Sequence, residues 1–306
     1  MLLKKVGTLL IFLWAVASLI FFIVHVIPGD PLVSMLGTIS SSEDIQRMQR
    51  ALKLDRPLAE QYVHFIKKLL FLDLGESMID RKPVLGTIMK YFPNSVILGV
   101  SAMILALLLA FPLGILAALN KKSICYTLNM IFSAVGLAIP GFLLAILLII
   151  LFSVQLKCLP ISGSGGFRFL ILPALTLAIS LSAFLTRIIH TAVTGEFRQP
   201  YVLLAKAKGL SEFHIFSRHI LKNAMIPVIT IMGLQLGALL SGTIVIENVF
   251  SWPGIGTLLI TAIHQRDLPM IQGVVFFIAA LYLLLNLLVD LSYPFIDPRI
   301  RLGYFE

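Results

Sequence analysis

Charge is scarce in this sequence, and its absence from particular places decides most of the reading. Only 13% of the 306 residues are charged, against about 25% in soluble domains. No Asp, Glu, Lys or Arg stands well inside the long apolar runs; Arg187 and Asp290 lie at their ends. Pumps coupled to protons or ions place ionisable groups at the membrane midplane, so this gap counts against a secondary transporter. Cysteine is nearly missing too. Cys125 and Cys158 flank one apolar segment at opposite ends, so they cannot pair, and they read as packing residues. No Gly-rich run ends in Gly-Lys-Ser/Thr, so any ATP chemistry would have to lie on another chain. The six histidines form no metal pair on one helix face. His25, His64 and His264 are left with two readings, structural residues or contacts to a metal cargo. Gly163-Ser164-Gly165-Gly166 reads as a loop rather than a hydrolase elbow, and no nucleophile has a neighbouring base. The chain is expected to hold no catalytic site, no metal site and no cofactor of its own.

What is present is apolar. Hydrophobic residues make up 58% of the chain, and the mean hydropathy is +0.99. This is the composition of an integral membrane protein. The net charge of +9 then reads as Lys and Arg gathered on the cytoplasmic side rather than as a nucleic-acid surface. Lys4-Lys5 before an apolar run, with Ala15-Val16-Ala17, resembles a signal peptide. The run continues through Leu19–Ile27, so an uncleaved first span is expected. Six spans follow from segments near the required length of about 20 residues: Val6–Ile27, Val96–Leu119, Tyr126–Leu156, Phe169–Thr186, Asn223–Ile246 and Leu268–Val289. The third is overlong and contains Pro140, which predicts tilt, a kink or an end outside the bilayer. The expected fold is all-α and polytopic, with both termini on one side. Lys4, Lys5, Lys121, Lys122, Arg187, Arg198, Lys206, Lys208, Arg218, Lys222, Arg299 and Arg301 share that side, which makes it cytoplasmic.

Three polar stretches interrupt the spans. The outer loop, residues 28–93, offers helix starts at Ser40 and Ser41 and a helical face of Ile45, Met48 and Leu52. After Arg56-Pro57, Leu58, Tyr62, Phe65 and Leu69 predict a second amphipathic helix. This cap either packs on the spans or meets a delivery protein. The second stretch, residues 198–227 inside a cytoplasmic segment 187–226, is basic and helical. Tyr201–Lys208 favours helix, Gly209 ends it, and Ser211 caps a second helix through Asn223. Leu204, Phe213 and Phe216 offer apolar contacts there. It is either an amphipathic hairpin on anionic lipid or a socket for a motor protein. The third runs from Glu247 to Gly256. Its Pro253-Gly254 turn precedes a short apolar helix, and non-helical backbone at that depth must be buried or line a cavity. Glu247, Phe250, Trp252, Pro253, Gly254 and Gly256 are therefore gate candidates. Within the spans, Asn129, Ser133, Gln235, Ser241, Thr243 and Asn286 are read as packing glue rather than ligands. Gly233, Gly237 and Ser241 form a small-residue face where the fifth span approaches a partner or the chain's first helices.

In order, Val26-Ile27-Pro28-Gly29-Asp30-Pro31, Leu54-Asp55-Arg56-Pro57-Leu58, Asp73-Leu74-Gly75 with Ser77, Ile171-Leu172-Pro173-Ala174, Ala205-Lys206-Ala207-Lys208-Gly209-Leu210, Glu247-Asn248-Val249-Phe250 with Pro253-Gly254-Ile255-Gly256, and Asp297-Pro298-Arg299 resemble an inner-membrane permease subunit. The resemblance is to binding-protein-dependent ABC importers of the dipeptide, oligopeptide and nickel branch, and to their first permease, the one with the long outer loop. It covers nearly the whole chain, as a single permease domain over residues 1–306. It implies the ABC type I importer architecture in a bacterial inner membrane. It also implies a second homologous permease, two cytoplasmic ATPases that hold ATP and Mg, and an extracytoplasmic solute-binding protein. Ala205, Lys206, Ala207, Lys208, Gly209 and Leu210 would sit in the ATPase-coupling segment. The general pattern there has Glu-Ala-Ala, three residues, then Gly; aligned on Gly209 this chain has Leu203-Leu204-Ala205, so no acidic contact carries over. Di- or oligopeptides are the expected cargo, with nickel or a metal chelate as the alternative within the family. A membrane scaffold or sensor without transport is the alternative outside it.

Overall fold

The computed structural model describes residues 2–26, 56–120 and 123–296. The helix starts at Ser40 and Ser41, the Ile45 face and the Asp297-Pro298-Arg299 tail lie outside the described residues. Among those described, the chain is helical, and its only strand-like feature is an isolated bridge between Glu76 and Pro83. Helix α1 spans Leu2–Val26, α2 Leu58–Leu70 and α3 Val84–Leu119. Then come α4, Ile124–Ala138, and α5, Gly141–Leu148, which runs into a π-helical stretch Ile149–Gln155. Helix α6 is Phe167–Glu196, α7 Pro200–Ala207, and α8 the short Glu212–Ile215, prolonged by a π-helical Phe216–Ile220. The last three are α9, Leu221–Val249, α10, Ile255–Gln265, and α11, Leu268–Ile296.

Five of these helices are long and apolar enough to cross a membrane; α4 and α5 make a sixth if the bent pair is one span. They meet at 105°. Pro140 explains the break: it lacks the N–H that would close the next turn, and it serves as N-cap of α5 instead. Proline is tolerated elsewhere, with Pro173 inside α6 and Pro227 inside α9. The sequence expectation ended the fourth span near Thr186; α6 continues ten residues further, to Glu196.

Two compact units emerge, Met1–Ser95 with Pro253–Leu284, and Val96–Trp252 with Leu285–Glu306. In the first, α2 lays Tyr62 and Phe65 on α1: ring centroids lie 5.4 and 5.6 Å from Phe21, and the Tyr62 hydroxyl is 2.7 Å from Ser18 Oγ. The second predicted loop helix therefore caps a span. In the second unit α6 is the centre, with α4 and α9 against it and Leu185, Ile189 and Val193 buried. Close approaches set these contacts. A Cβ on Gly136 would stand 2.5 Å from Ala183 Cβ, and one on Gly114 2.9 Å from Ile189. One on Gly233 would stand 2.7 Å from Val289. That sets Gly233 against α11, the last helix, where the expectation was a partner or the chain's first helices. Gly237 is buried beside it, and the Ser241 side chain lies outside the described ones. Asn129, Ser133 and Thr243 are buried, as packing residues should be. The cysteines are not: both thiols are free and exposed, which overturns their reading as packing residues.

Candidate functional site

The island between α6 and α9 is built as a rigid piece. Pro200 opens α7 at the first helical position, where its missing N–H costs nothing. Gly209 closes it with φ +76°. Its N–H donates to the Lys206 carbonyl at 2.9 Å, and the Leu210 N–H donates to the Ala205 carbonyl at 3.3 Å. That is a Schellman cap, which needs a left-handed residue and hence glycine. Ser211 caps the next turn, its Oγ accepting from the His214 N–H, as its position predicts. The second helix does not stand alone. It passes through the π-helical turn into α9 without a break, so movement of the island is movement of the span.

The island has two faces. Val202, Ala205, Ile215 and Ile220 are buried in one cluster with Ile189 and Val193 of α6 and Ala224 and Val228 of α9. Each large side chain buried there contributes about 1.5–3 kcal/mol. Phe216 stacks on Phe197 at 6.1 Å, and the Tyr201 hydroxyl donates to Glu196. Facing outward are Leu203, Leu204 and Phe213, the last 80% exposed. Leu204 and Phe213 therefore make no internal contacts of the kind their spacing suggested; they are surface. Around them stand the exposed Lys206, Lys208 and Arg218, with Lys206 paired to Glu212 at 3.3 Å. Leu203 occupies the position where the general pattern has an acid.

The gate candidates divide between the units. Glu247 is helical, in the last turn of α9, and fully buried; the sequence had put it in a turn outside the span. Its carbonyl accepts the Trp252 N–H at 2.7 Å, and the Phe250 carbonyl accepts the Gly163 N–H at 2.9 Å. Phe250 packs with Ala145, Leu148 and Leu172, and Trp252 with Leu98, Leu170 and Ala174. In the other unit, Asn94 Nδ2 donates to the Pro253 carbonyl at 2.8 Å, and the Ile255 N–H donates to Ser95 Oγ at 2.8 Å. Gly254 is the N-cap of α10, and Gly256 is buried in its first turn. The Pro-Gly turn is thus held by polar residues of α3.

A cavity of about 360 Å³ opens at the bend between α4 and α5. Leu137, Phe142, Leu177, Val245 and Ile246 make it mostly apolar, and Thr176 and Ser180 add hydroxyls. No ionised side chain lines it.

Sequence reasoning missed a junction in the first unit. Ser77 Oγ donates to Asp267 Oδ2 at 2.5 Å, and the Met78 and Met270 N–H groups donate to Oδ1 at 3.2 and 3.3 Å. Asp267 is 2% exposed. It caps α11 and ties down the segment after α2. The residues of Asp73-Leu74-Gly75 serve the same junction: Asp73 Oδ1 accepts the Gly75 N–H at 2.9 Å, and Leu74 lies 3.5 Å from where a Cβ on Gly273 would stand. Ser77 and Asp267 are 190 residues apart, and each looks alone like an ordinary loop residue. Among the described residues no three of His, Cys, Asp and Glu gather in a way that could hold a metal ion.

Comparison with known proteins covers nearly the whole chain. Residues 110–302 match the family described as binding-protein-dependent transport system inner membrane component, and residues 1–99 match its N-terminal component. The glutathione transport system permease protein GsiC of Escherichia coli K12 is 38% identical over 298 residues, covering 97% of both chains. GsiC of Salmonella typhimurium LT2 is 39% identical over 299 residues, covering 98% of both. Among solved structures, the inward-facing MetNI methionine ABC transporter superposes with a TM-score of 0.58 at 15% identity, over 70% of this chain and 98% of the other. An amino acid ABC transporter solved with histidines gives 0.55 at 15%, over 68% and 94%. At such identities the structures speak for the fold alone.

Proposed function

The chain belongs to the inner-membrane component family of binding-protein-dependent transport systems, and on that premise we propose that it forms half of the pathway of an ATP-driven importer for short peptides. It is a multi-pass permease component rather than an enzyme. The observation that carries the proposal is the island. Its inner face is built into the α6–α9 core, and its outer face presents Leu203, Leu204 and Phe213 amid basic residues. A patch so joined to two spans suits a load-bearing joint better than a lipid-surface hairpin, which would need no such core.

In this reading Ala205, Lys206, Ala207, Lys208, Gly209 and Leu210 dock on a cytoplasmic ATPase, one of two that bind ATP and Mg. A second, homologous permease completes the pathway, and an extracytoplasmic receptor delivers cargo. ATP binds one state of the ATPase pair more tightly, and that difference drives the swing of the spans. Leu203 makes the joint apolar where the general pattern is acidic. The turn from Glu247 to Gly256 moves with α9 and forms the outer end of the gate, and the uncharged cavity at the α4–α5 bend lies on the route. A cavity without ionised side chains passes a short peptide without holding it by an ion pair. The two relatives named for glutathione support short peptides as cargo.

The test is uptake by the complete complex in proteoliposomes with its receptor. Uptake of glutathione or other short peptides that needs both ATP and receptor is expected. Uptake of nickel alone would reassign the cargo. No ATP-dependent uptake and no association with an ATPase would overturn the assignment.

A further inference from the structure

We infer that the tip Leu70-Phe71-Leu72, at the end of α2, is an anchor inserted among the headgroups and upper acyl chains of the bilayer. The height of α2 follows from its partner. Tyr62 and Phe65 pack on Phe21 and Phe22, and Tyr62 bonds Ser18; these α1 residues lie in the closing turns of the candidate span Lys5–Ile23. Helix α2 is therefore held where span 1 leaves the hydrocarbon.

Beyond Phe65 the helix presents three large apolar side chains in a row, exposed by 78%, 86% and 66%. Leu72 stands at φ +56°, a conformation that glycine or asparagine adopts with least strain. In water such a turn has no use for leucine, whereas among lipids its side chain is what the turn delivers. The Leu72 N–H donates to the Leu69 carbonyl and the Asp73 N–H to the Lys68 carbonyl, both at 3.0 Å, so the turn is fixed. Lys67 and Lys68 fill the last helical turn. An ammonium on a long apolar stem beside an apolar tip fits phosphate headgroups. Leu19, Phe22 and Ile23, in the same closing turns of α1, are exposed and apolar too. Attachment to the end of a span and the Lys67 ammonium beside the tip favour lipid over a protein partner, Lys68 being paired with Asp73 at 3.7 Å. The inference rests on α1 being a span and does not depend on cargo or coupling.

The test places a nitroxide at Phe71→Cys in the assembled complex, with Cys125 and Cys158 replaced by Ser. Proteoliposomes of phosphatidylethanolamine and phosphatidylglycerol are used, and power saturation compares oxygen with a water-soluble nickel chelate. Glu60→Cys, on the exposed first turn of the same helix, is the aqueous reference. The expected ratio of oxygen to nickel accessibility is several-fold higher at 71 than at 60, and unchanged by added solute-binding protein. Equal ratios at the two sites would overturn the anchor. So would a label at 71 that is water-accessible until the binding protein immobilises it. Leu72→Cys repeats the reading if the first variant assembles poorly. Uptake is not measured, so failure of the transport proposal leaves this outcome readable.

Discussion

At the scale of single residues, two contacts carry more weight than their neighbours. Asp267 accepts three hydrogen bonds in a site almost closed to water. Asp267→Ala leaves the Ser77 hydroxyl and two amides without their acceptor, and is expected to cost about 2–4 kcal/mol. Ser77→Ala removes one donor to that carboxylate and also the oxygen that accepts the Ile79 and Asp80 N–H groups at 3.2 and 3.0 Å, so it should cost about as much. Thermal inactivation of the purified complex checks both; midpoints unchanged from the unsubstituted complex would show the junction to be unimportant. Gly136 sets the second contact. A Cβ there would come within 2.5 Å of Ala183 Cβ, so Gly136→Ala forces α4 and α6 apart at a cost of about 1–3 kcal/mol. Adding Ala183→Gly removes the clashing methyl and is expected to restore most of the loss. A double variant no better than the single one would mean that the helices were never so close.

At the scale of elements, the island makes the sharpest forecasts. Gly209→Ala keeps the composition but places a Cβ in a left-handed residue, costing about 1–2 kcal/mol. The cap between α7 and α8 loosens, and uptake should fall several-fold while receptor binding stays intact. Phe213→Ala removes an 80%-exposed ring and should leave permease stability alone. If the ring anchors the ATPase, truncation weakens that association by about 2 kcal/mol, roughly thirty-fold. Co-purification of the ATPase, quantified against a comparably exposed ring outside the island, Phe167→Ala (75% exposed), distinguishes an anchor from mere surface. Much of this element was legible beforehand, because Pro200, Gly209 and Ser211 act through local backbone chemistry. What sequence could not supply was the partner of each apolar residue. Leu204, Phe213 and Phe216 share a composition; only Phe216 finds an internal ring, and the other two face out. The run of α8 into α9 was also hidden, since no Gly or Pro marks a boundary that does not exist.

At the scale of the whole molecule, the spans were readable because hydrocarbon demands about 20 apolar residues whatever the packing. The break at Pro140 was readable because proline cannot complete a helix. The burial of Glu247 and the Ser77–Asp267 junction were not, because distant polar residues leave no periodicity. The 105° bend between α4 and α5 leaves two topologies that charge can separate. If the pair is one crossing, six spans return the tail to the side of the N-terminus. Lys121, Lys122, the island and Arg299 with Arg301 then all lie with Lys4 and Lys5. If the pair is re-entrant, α6 carries Arg198, Lys206, Lys208, Arg218 and Lys222 to the opposite face, against the inward bias of basic loops. Retaining one crossing therefore satisfies the charges that the alternative violates. Alkaline phosphatase fused after Gly209 or after Glu306 should be inactive, and fused within residues 163–166 it should be active. Activity after Gly209 would show that the bent pair turns back within the membrane, and would remove the island from reach of any cytoplasmic ATPase.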